Sequence, residues 1–281
     1  LIPSPALARK VSDQLGRNIT ISDNPERIIS LAPNITEIIF ALDKGHLLKG
    51  VTVYSDYPAE AMNLPKVGSY VNLYLEKIVA LKPDLCIAIK DGNPLAVVKR
   101  LEALNVPLYA VNPTDLETVM HTIWELGKVL NAQDKADKLV QNMRVKLQSL
   151  RTLVAKAGKR PKVFFQIGTS PTVSVGTNTF IHELIELAGA VNIAQGSVPY
   201  PRFSREHIVS LAPEIIIISS MVQKPMFEKI KAEWEQLSVI PAAKNKRIYF
   251  ADADFFNRPT PRLIQGLELL IRFIHPELFK E

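Results

Sequence analysis

A chain of 281 residues that is 47% hydrophobic and 22% charged is neither a disordered segment nor a fibre, and its length suits one large domain or two ordinary ones. The net charge is +6, and much of it comes from residues 138–162, where Lys138, Arg144, Lys146, Arg151, Lys156, Lys159, Arg160 and Lys162 occur without an acidic residue. No aromatic residue is interleaved there to stack on bases, so a solvated helix face is favoured over a nucleic-acid surface, and attraction to an anionic membrane is the weaker fit.

No apolar run approaches the roughly 18 to 20 residues that span a bilayer. The opening LIPSPALARK has no long apolar region, which predicts that any export signal has been removed. RKVSDQLGRNITIS reads as a small β-hairpin. RIISLAP is a strand leading through a loop into the helix TEIIFALD, and GVTV is a further strand followed by the loop YSDYP. LEKIVAL has helical apolar spacing and ends at Pro83. DLCIAI, next, is a continuous apolar run suited to a strand covered on both faces. Its Cys86 is the one cysteine in the chain, expected to be buried, and it leaves the redox compartment open. VPLYAV is the next strand, preceded by an amphipathic helix.

A long proline-free stretch follows, broken at Asn131 into two helices, the second over about residues 132–157. At about 1.5 Å per residue that helix is on the order of 39 Å long, enough to run across two lobes. Strand KVFFQIG and helix FIHELIELAG come next. Helix REHIVSL stops at Pro213, and the strands EIIIIS and RIYFAD complete the series. Alternation of this kind implies α/β lobes with mainly parallel sheets.

The two halves echo one another. A single constant shift puts Glu206 on Glu76, Ile208 on Ile78, Val209 on Val79, Leu211 on Leu81 and Pro213 on Pro83, with Glu214 on Asp84. An internal repeat decides the architecture before any single motif does. The expected fold is α/β, two Rossmann-like lobes with mainly parallel sheets joined by a single long rigid helix. The N-terminal lobe with its leading hairpin takes residues 1–130, the linking helix 131–158 and the C-terminal lobe 159–281.

The chemistry begins with absences. There is no GxxxxGK[ST] loop, no GxGxxG after a strand and no GxSxG elbow. The histidines, His46, His121, His182, His207 and His275, are scattered. Only His182 and Glu186 have metal-like spacing, and a transition-metal site needs three or four ligands, so no metal site is expected and an enzyme is the weaker hypothesis. Several loops are instead aromatic: YSDYP with Tyr54 and Tyr57, SYVNLY with Tyr70 and Tyr74, VPYPRFS with Tyr200 and Phe203, ADADFFNRPTPR with Phe255 and Phe256. Ligands of open α/β sheets bind outside the carboxyl ends of the strands, and rings there offer flat apolar area with a polar edge. The clustering favours a large, flat, mostly apolar ligand.

At YSDYP, LEKIVALKPDL, VPYPRFSRE and DFFNRPTPR the sequence resembles the helix-linked substrate-binding proteins of ABC importers that carry cobalamin, haem and iron–siderophores. Within that family it is most similar to the cobalamin carriers, over nearly the whole chain. The resemblance implies a non-enzymatic monomer with no resident cofactor and little hinge motion. It further implies a corrinoid held in the cleft between lobes and no nucleic-acid partner. The resemblance also implies a location in the periplasm or an anchor on the outer face of the cytoplasmic membrane. Carried over by position, Tyr54 approaches the corrin or its nucleotide tail, and Asp254, Phe255 and Arg258 supply the facing contacts. Tyr70, Ile89 and Tyr200 fall where cobalamin carriers have tryptophans, which reduces the aromatic area, so a corrinoid with a different or absent lower base also fits. Glu76 and Glu206 correspond to the acids that pair with arginines on the importer's transmembrane subunits. Haem is the main competitor, because tyrosine can be an axial ligand, and a siderophore would draw on Lys90 and Arg258. An enzyme or cofactor-assembly protein on the same scaffold, and a sensor domain, are the readings from other classes.

Overall fold

A computed structural model of the chain describes residues 8–219 and 224–279. The chain divides into two compact units, one of residues up to 142 except 114–116, the other of 114–116 and 143 onward.

The first unit opens with the antiparallel hairpin β1 (Ala8–Ser12) and β2 (Asn18–Ser22). Its turn is built on Asp13, which accepts the backbone N–H groups of Leu15 and Arg17 at 2.9 Å each, while Gly16 takes a φ of 75°. Then come β3 (Ile28–Ser30), α1 (Pro33–Ala41), β4 (Leu48–Gly50), the short pair β5 (Gly68–Ser69) and β6 (Asn72–Leu73), α2 (Leu75–Ala80), β7 (Leu85–Ile89), α3 (Leu95–Ala103) and β8 (Leu108–Val111). The main sheet runs β4-β3-β7-β8 and is parallel throughout. Its central strand pairs Cys86 with both Ile29 and Leu108, and Leu85, Cys86 and Ile87 are wholly buried, as a strand covered on both faces must be.

The strand expected at GVTV lies earlier. A Cβ on Gly50 would fall 2.8 Å from the side chains of both Ile29 and Leu81, so the residue marks a tight approach at the strand's end. Val51 keeps only an isolated bridge to Lys66, and the Ser55 N–H already turns back to the Thr52 carbonyl at 3.0 Å.

Helices α4 (Leu116–Val129) and α5 (Gln133–Val154) follow. Asn131 separates them at a φ of 52°, a conformation asparagine tolerates better than most residues. Its side chain donates to the Asp23 carbonyl at 2.7 Å and accepts from Arg9 at 3.0 Å. Helix α5 has 22 residues, shorter at its C-terminal end than the apolar spacing suggested, because residues 155–157 close into turns before Gly158. The boundary between units falls inside it, after Asn142. All eight basic residues from Lys138 to Lys162 are exposed.

The second unit contains β9 (Lys162–Gln166), the pair β10 (Gly168–Thr169) and β11 (Thr172–Val173), α6 (Phe180–Leu187), β12 (Val191–Asn192), α7 (Arg205–Leu211), β13 (Ile215–Ile218), α8 (Lys224–Glu235), α9 (Pro241–Lys244), β14 (Ile248–Phe250), α10 (Ala253–Phe256) and α11 (Leu263–Ile274). Its sheet runs β12-β9-β13-β14, again parallel. In both units the first strand is flanked by the second and third, with the fourth outside the third. The echo is thus a repeated Rossmann-like α/β fold. It reaches the backbone: α2 and α7 are each followed, just before the proline, by a left-handed residue, Lys82 at φ 47° and Ala212 at φ 49°.

Candidate functional site

In the first unit the loops after β4 and β7 and the β5–β6 turn carry the candidate side chains. YSDYP is anchored from below by a buried run of hydroxyls: Ser30 to Thr36 at 2.8 Å, Thr36 to Ser55 at 3.0 Å and Ser55 to Thr52 at 2.9 Å. Lys66 holds the same loop from the side, donating through Nζ to the carbonyls of Ser55 at 3.0 Å and Ala61 at 2.9 Å. Its pKa is lowered by burial, against the opposing charge of Asp56. With Ser55 fixed inward, Tyr54 is 44% exposed. Its ring meets that of Tyr70 edge-on, 6.4 Å between centroids at 66°, a favourable aromatic geometry.

The Tyr70 ring in turn lies over Gly92, where a Cβ would fall 2.8 Å from Tyr70 Cδ2 and 3.7 Å from Ile89 Cγ2, at a φ of 141° that favours glycine. Tyr54 and Tyr70 thus touch, and Tyr70 and the half-buried Ile89 both border Gly92. Asn93, which the sequence reading passed over, bonds to the backbone of Ile89, Leu31 and Tyr70. Its placement directly after the Asp-Gly pair was the only available signal. Tyr57 and Tyr74 are also exposed.

In the second unit Tyr200 is exposed on a segment clipped along residues 174–176. The Pro199 carbonyl accepts from Gly176 at 2.8 Å and that of Pro201 from Ser174 at 3.0 Å. A Cβ on Gly176 would sit 1.9 Å from the Val198 carbonyl oxygen, so only glycine allows this approach. The loop after β14 holds a separate group. Asp252 caps α10 by accepting the Asp254 N–H at 3.0 Å. Asp254, 41% exposed, faces Arg258 at 3.4 Å and Arg262 at 4.0 Å, both arginines being almost buried. The Arg262 guanidinium lies 5.6 Å from the centre of the Phe255 ring, a cation–π contact. Arg262 ends the motif DFFNRPTPR but was not singled out from the sequence.

Asp254, Phe255 and Arg258 thus come together, while Tyr200 lies on another segment. Two aromatics counted with these loops belong to the core instead. Phe256 is wholly buried against Phe165, and Phe203 packs edge-on against Phe164.

The spacing of His182 and Glu186 has local explanations. The His182 ring bonds to Asn192 at 3.1 Å and Glu186 pairs with Arg160. Among the described residues no group of three or more His, Cys, Asp or Glu is placed to hold a metal ion. Glu76 and Glu206 are exposed, each in the first turn of its helix, α2 and α7. The Glu206 pKa is lowered, chiefly by its own backbone N–H, then by the Ser204 hydroxyl and by Arg205.

Two repeated parallel α/β units, each with exposed rings on loops beyond its strands, fit the architecture of a substrate-binding protein. The chain belongs to the periplasmic binding protein family, whose profile matches residues 28–255. It is similar to the vitamin B12-binding protein of Vibrio parahaemolyticus, 33% identical over 254 residues, which are 89% of this chain and 90% of the relative. Among solved structures, the periplasmic vitamin B12 binding protein BtuF of Vibrio cholerae matches with a TM-score of 0.81 and 31% identity over 91% of this chain and 99% of that one. The periplasmic heme-binding protein RhuT from Roseiflexus sp. RS-1 matches with a TM-score of 0.78 and 27% identity, covering 89% and 98%. All three are named for what they bind; the family consists of substrate-binding proteins and not of enzymes. No helix among the described residues is long and apolar enough to cross a membrane.

Proposed function

We propose that this protein captures cobalamin or a related corrinoid outside the cytoplasmic membrane and delivers it to the transmembrane subunits of an ABC importer. The observation that carries the proposal is the exposed edge-to-face pair of Tyr54 and Tyr70 over Gly92, in a chain one-third identical to a vitamin B12-binding protein. Such a surface suits a flat macrocycle, since ring faces contribute apolar area and phenol edges reach its polar rim. Ile89, which also borders Gly92, adds to this surface. Asp254, Phe255 and Arg258, with Tyr200, supply further contacts, and the Arg258 guanidinium is a fixed donor for amide carbonyls on a corrinoid periphery. Glu76 and Glu206 dock on the importer, and helix α5 (Gln133–Val154) serves as the stiff linker of a monomer free in the periplasm or tethered to the membrane.

Haem is the second reading, favoured by the heme-binding neighbour and by the exposure of Tyr54, Tyr57, Tyr70, Tyr74 and Tyr200, since tyrosine is one of the side chains that ligate haem iron. Titration calorimetry with cobalamin, its base-free precursor and haem separates the two. The corrinoid reading expects saturable one-to-one binding of at least one corrinoid. Binding of haem with no heat from either corrinoid transfers the function to the second reading.

A further inference from the structure

We infer that Asn93 is a positioning residue for ligand binding, holding Tyr70 and Ile89 in register without forming part of the binding surface itself. The inference rests on the binding function proposed above. Asn93 is 8% exposed, and its amide is used on both sides. Oδ1 accepts the Ile89 N–H at 2.8 Å, and Nδ2 donates to the Leu31 and Tyr70 carbonyls, each at 2.8 Å. The orientation is fixed by the partners: turned over, the carbonyl oxygen would face two carbonyls and the NH2 would face an N–H. One side chain thus joins three segments, the exit of β3 at Leu31, the end of β7 at Ile89 and the β5–β6 turn at Tyr70.

The last of these needs the tie most. Strands β5 and β6 have two residues each and pair only Gly68 with Leu73 and Ser69 with Asn72, and a pair so short has little stability of its own. The base of this pair is tied at Gly68, whose carbonyl accepts the Val53 N–H at 2.9 Å, while its Tyr70 end is registered on the sheet through its backbone, by Asn93, and through its ring, by Gly92 next in sequence. The same amide fixes the strand end that presents Ile89. Displacing these bonds shifts both contact residues together, and affinity falls although nothing that touches the ligand has changed.

Asn93→Asp and Asn93→Ala test this. The aspartate keeps an acceptor for the Ile89 N–H but turns a carboxylate toward two carbonyls, whereas alanine removes all three bonds. Both are expected to lower corrinoid affinity by about ten- to a hundredfold at neutral pH. In Asn93→Asp the loss relative to wild type shrinks as pH falls through the carboxyl range, because the protonated acid regains one O–H donor; in Asn93→Ala it does not. Hydrogen exchange on the ligand-free folded protein gives a second readout. The Ile89 amide exchanges faster in Asn93→Ala and is retained in Asn93→Asp. The Cys86 amide, bonded to the Pro107 carbonyl at 2.8 Å, is unchanged in both. Wild-type binding with unaltered affinity in both folded variants, or equal acceleration of Ile89 and Cys86, overturns the inference and leaves the corrinoid function standing. Failure of the wild-type chain to bind any corrinoid instead overturns that function and the affinity role built on it.

Discussion

Asp84 and Arg27 exchange a reciprocal pair of hydrogen bonds: the Arg27 N–H donates to Asp84 Oδ1 at 3.0 Å, and the Asp84 N–H donates to the Arg27 carbonyl at 3.1 Å. The other Asp84 oxygen accepts the Glu26 N–H at 2.7 Å. The second unit repeats the device, with the Lys162 N–H donating to Glu214 Oε2 at 2.8 Å and the Glu214 N–H to the Lys162 carbonyl at 2.9 Å. In each unit the acid after the proline locks the entry of the first strand beside the third. Hydrogen bonds to charged groups contribute about 1.5 to 3 kcal/mol when well buried, and less at a partly exposed strand end. Asp84→Ala is expected to cost about 1 to 2 kcal/mol in urea unfolding, and Asp84→Asn, which keeps one acceptor, clearly less. Equal midpoints for Asp84→Ala and wild type would leave the repeated acid without a structural role.

Cys86 gives a pH prediction with a defined sign. Burial first, and the nearby Asp84 carboxylate second, push its thiol up from 9.0 to about 12. The unfolded chain therefore ionises this thiol before the folded one does, and the thiol's contribution to stability, complete below about 9, is lost as pH rises toward 12. Since the thiolate is the reactive form, native protein at pH 8 should resist a thiol-specific reagent and denatured protein should react at once. Rapid labelling of the native chain would place Cys86 outside the core.

Most of the fold was legible because continuous apolar runs and helical spacing are local properties. DLCIAI and EIIIIS became β7 and β13, and the constant shift became a shared strand order. What escaped depended on distant partners. The pairs β5–β6 and β10–β11 have two residues per strand, too few for a period to register. The end of β4 was set by side chains crowding Gly50 from three other segments. Among the candidate side chains, Tyr54 and Tyr70 could be named from their loops. Their edge-on contact, the glycine beneath Tyr70 and the Asn93 tie depend on chain folded in from elsewhere, as far as 62 residues away for Leu31. Phe256 and Phe255 differ by one position and point to core and loop respectively, and composition cannot tell neighbours apart.

Tyr54 and Arg258 test the proposed contacts on the two units separately. Tyr54→Ala removes a ring that packs on Tyr70 and is expected to weaken corrinoid binding by roughly 1 to 3 kcal/mol, the range for a large side chain. Tyr54→Phe should stay close to wild type if the contact is apolar. Arg258→Ala removes a charged donor, worth about 1.5 to 3 kcal/mol, and frees Asp254 to turn toward Arg262. Unchanged affinity in both alanine variants, with circular dichroism intact, would mean the ligand lies elsewhere.

Glu76 and Glu206 occupy equivalent places in the repeat, and local physics accounts for part of that. A carboxylate in the first turn of a helix meets the positive end of the dipole. In α7 the Ser204 hydroxyl caps the helix by accepting the His207 N–H at 3.2 Å, as serine commonly does at this position. The Glu206 backbone N–H and Ser204 hydroxyl hold the Glu206 carboxyl below its ordinary range. Its small stabilising effect is therefore present above the unfolded carboxyl pKa and lost as pH falls through the folded one. Near neutrality the group is charged and exposed, as a docking acid must be. If helix-terminus electrostatics were the whole role, changing both glutamates to Ala would alter only thermal stability, and slightly. The docking proposal expects a different outcome: corrinoid affinity and fold retained, binding to importer-containing vesicles lost, and uptake stopped. Each single variant should fall between wild type and the pair, because two acids at repeated positions would each engage one transmembrane subunit. Rescue by Asp, which keeps the charge on a shorter arm, should be partial. Normal uptake by the double variant would reduce Glu76 and Glu206 to helix-terminus acids preserved by the duplication alone.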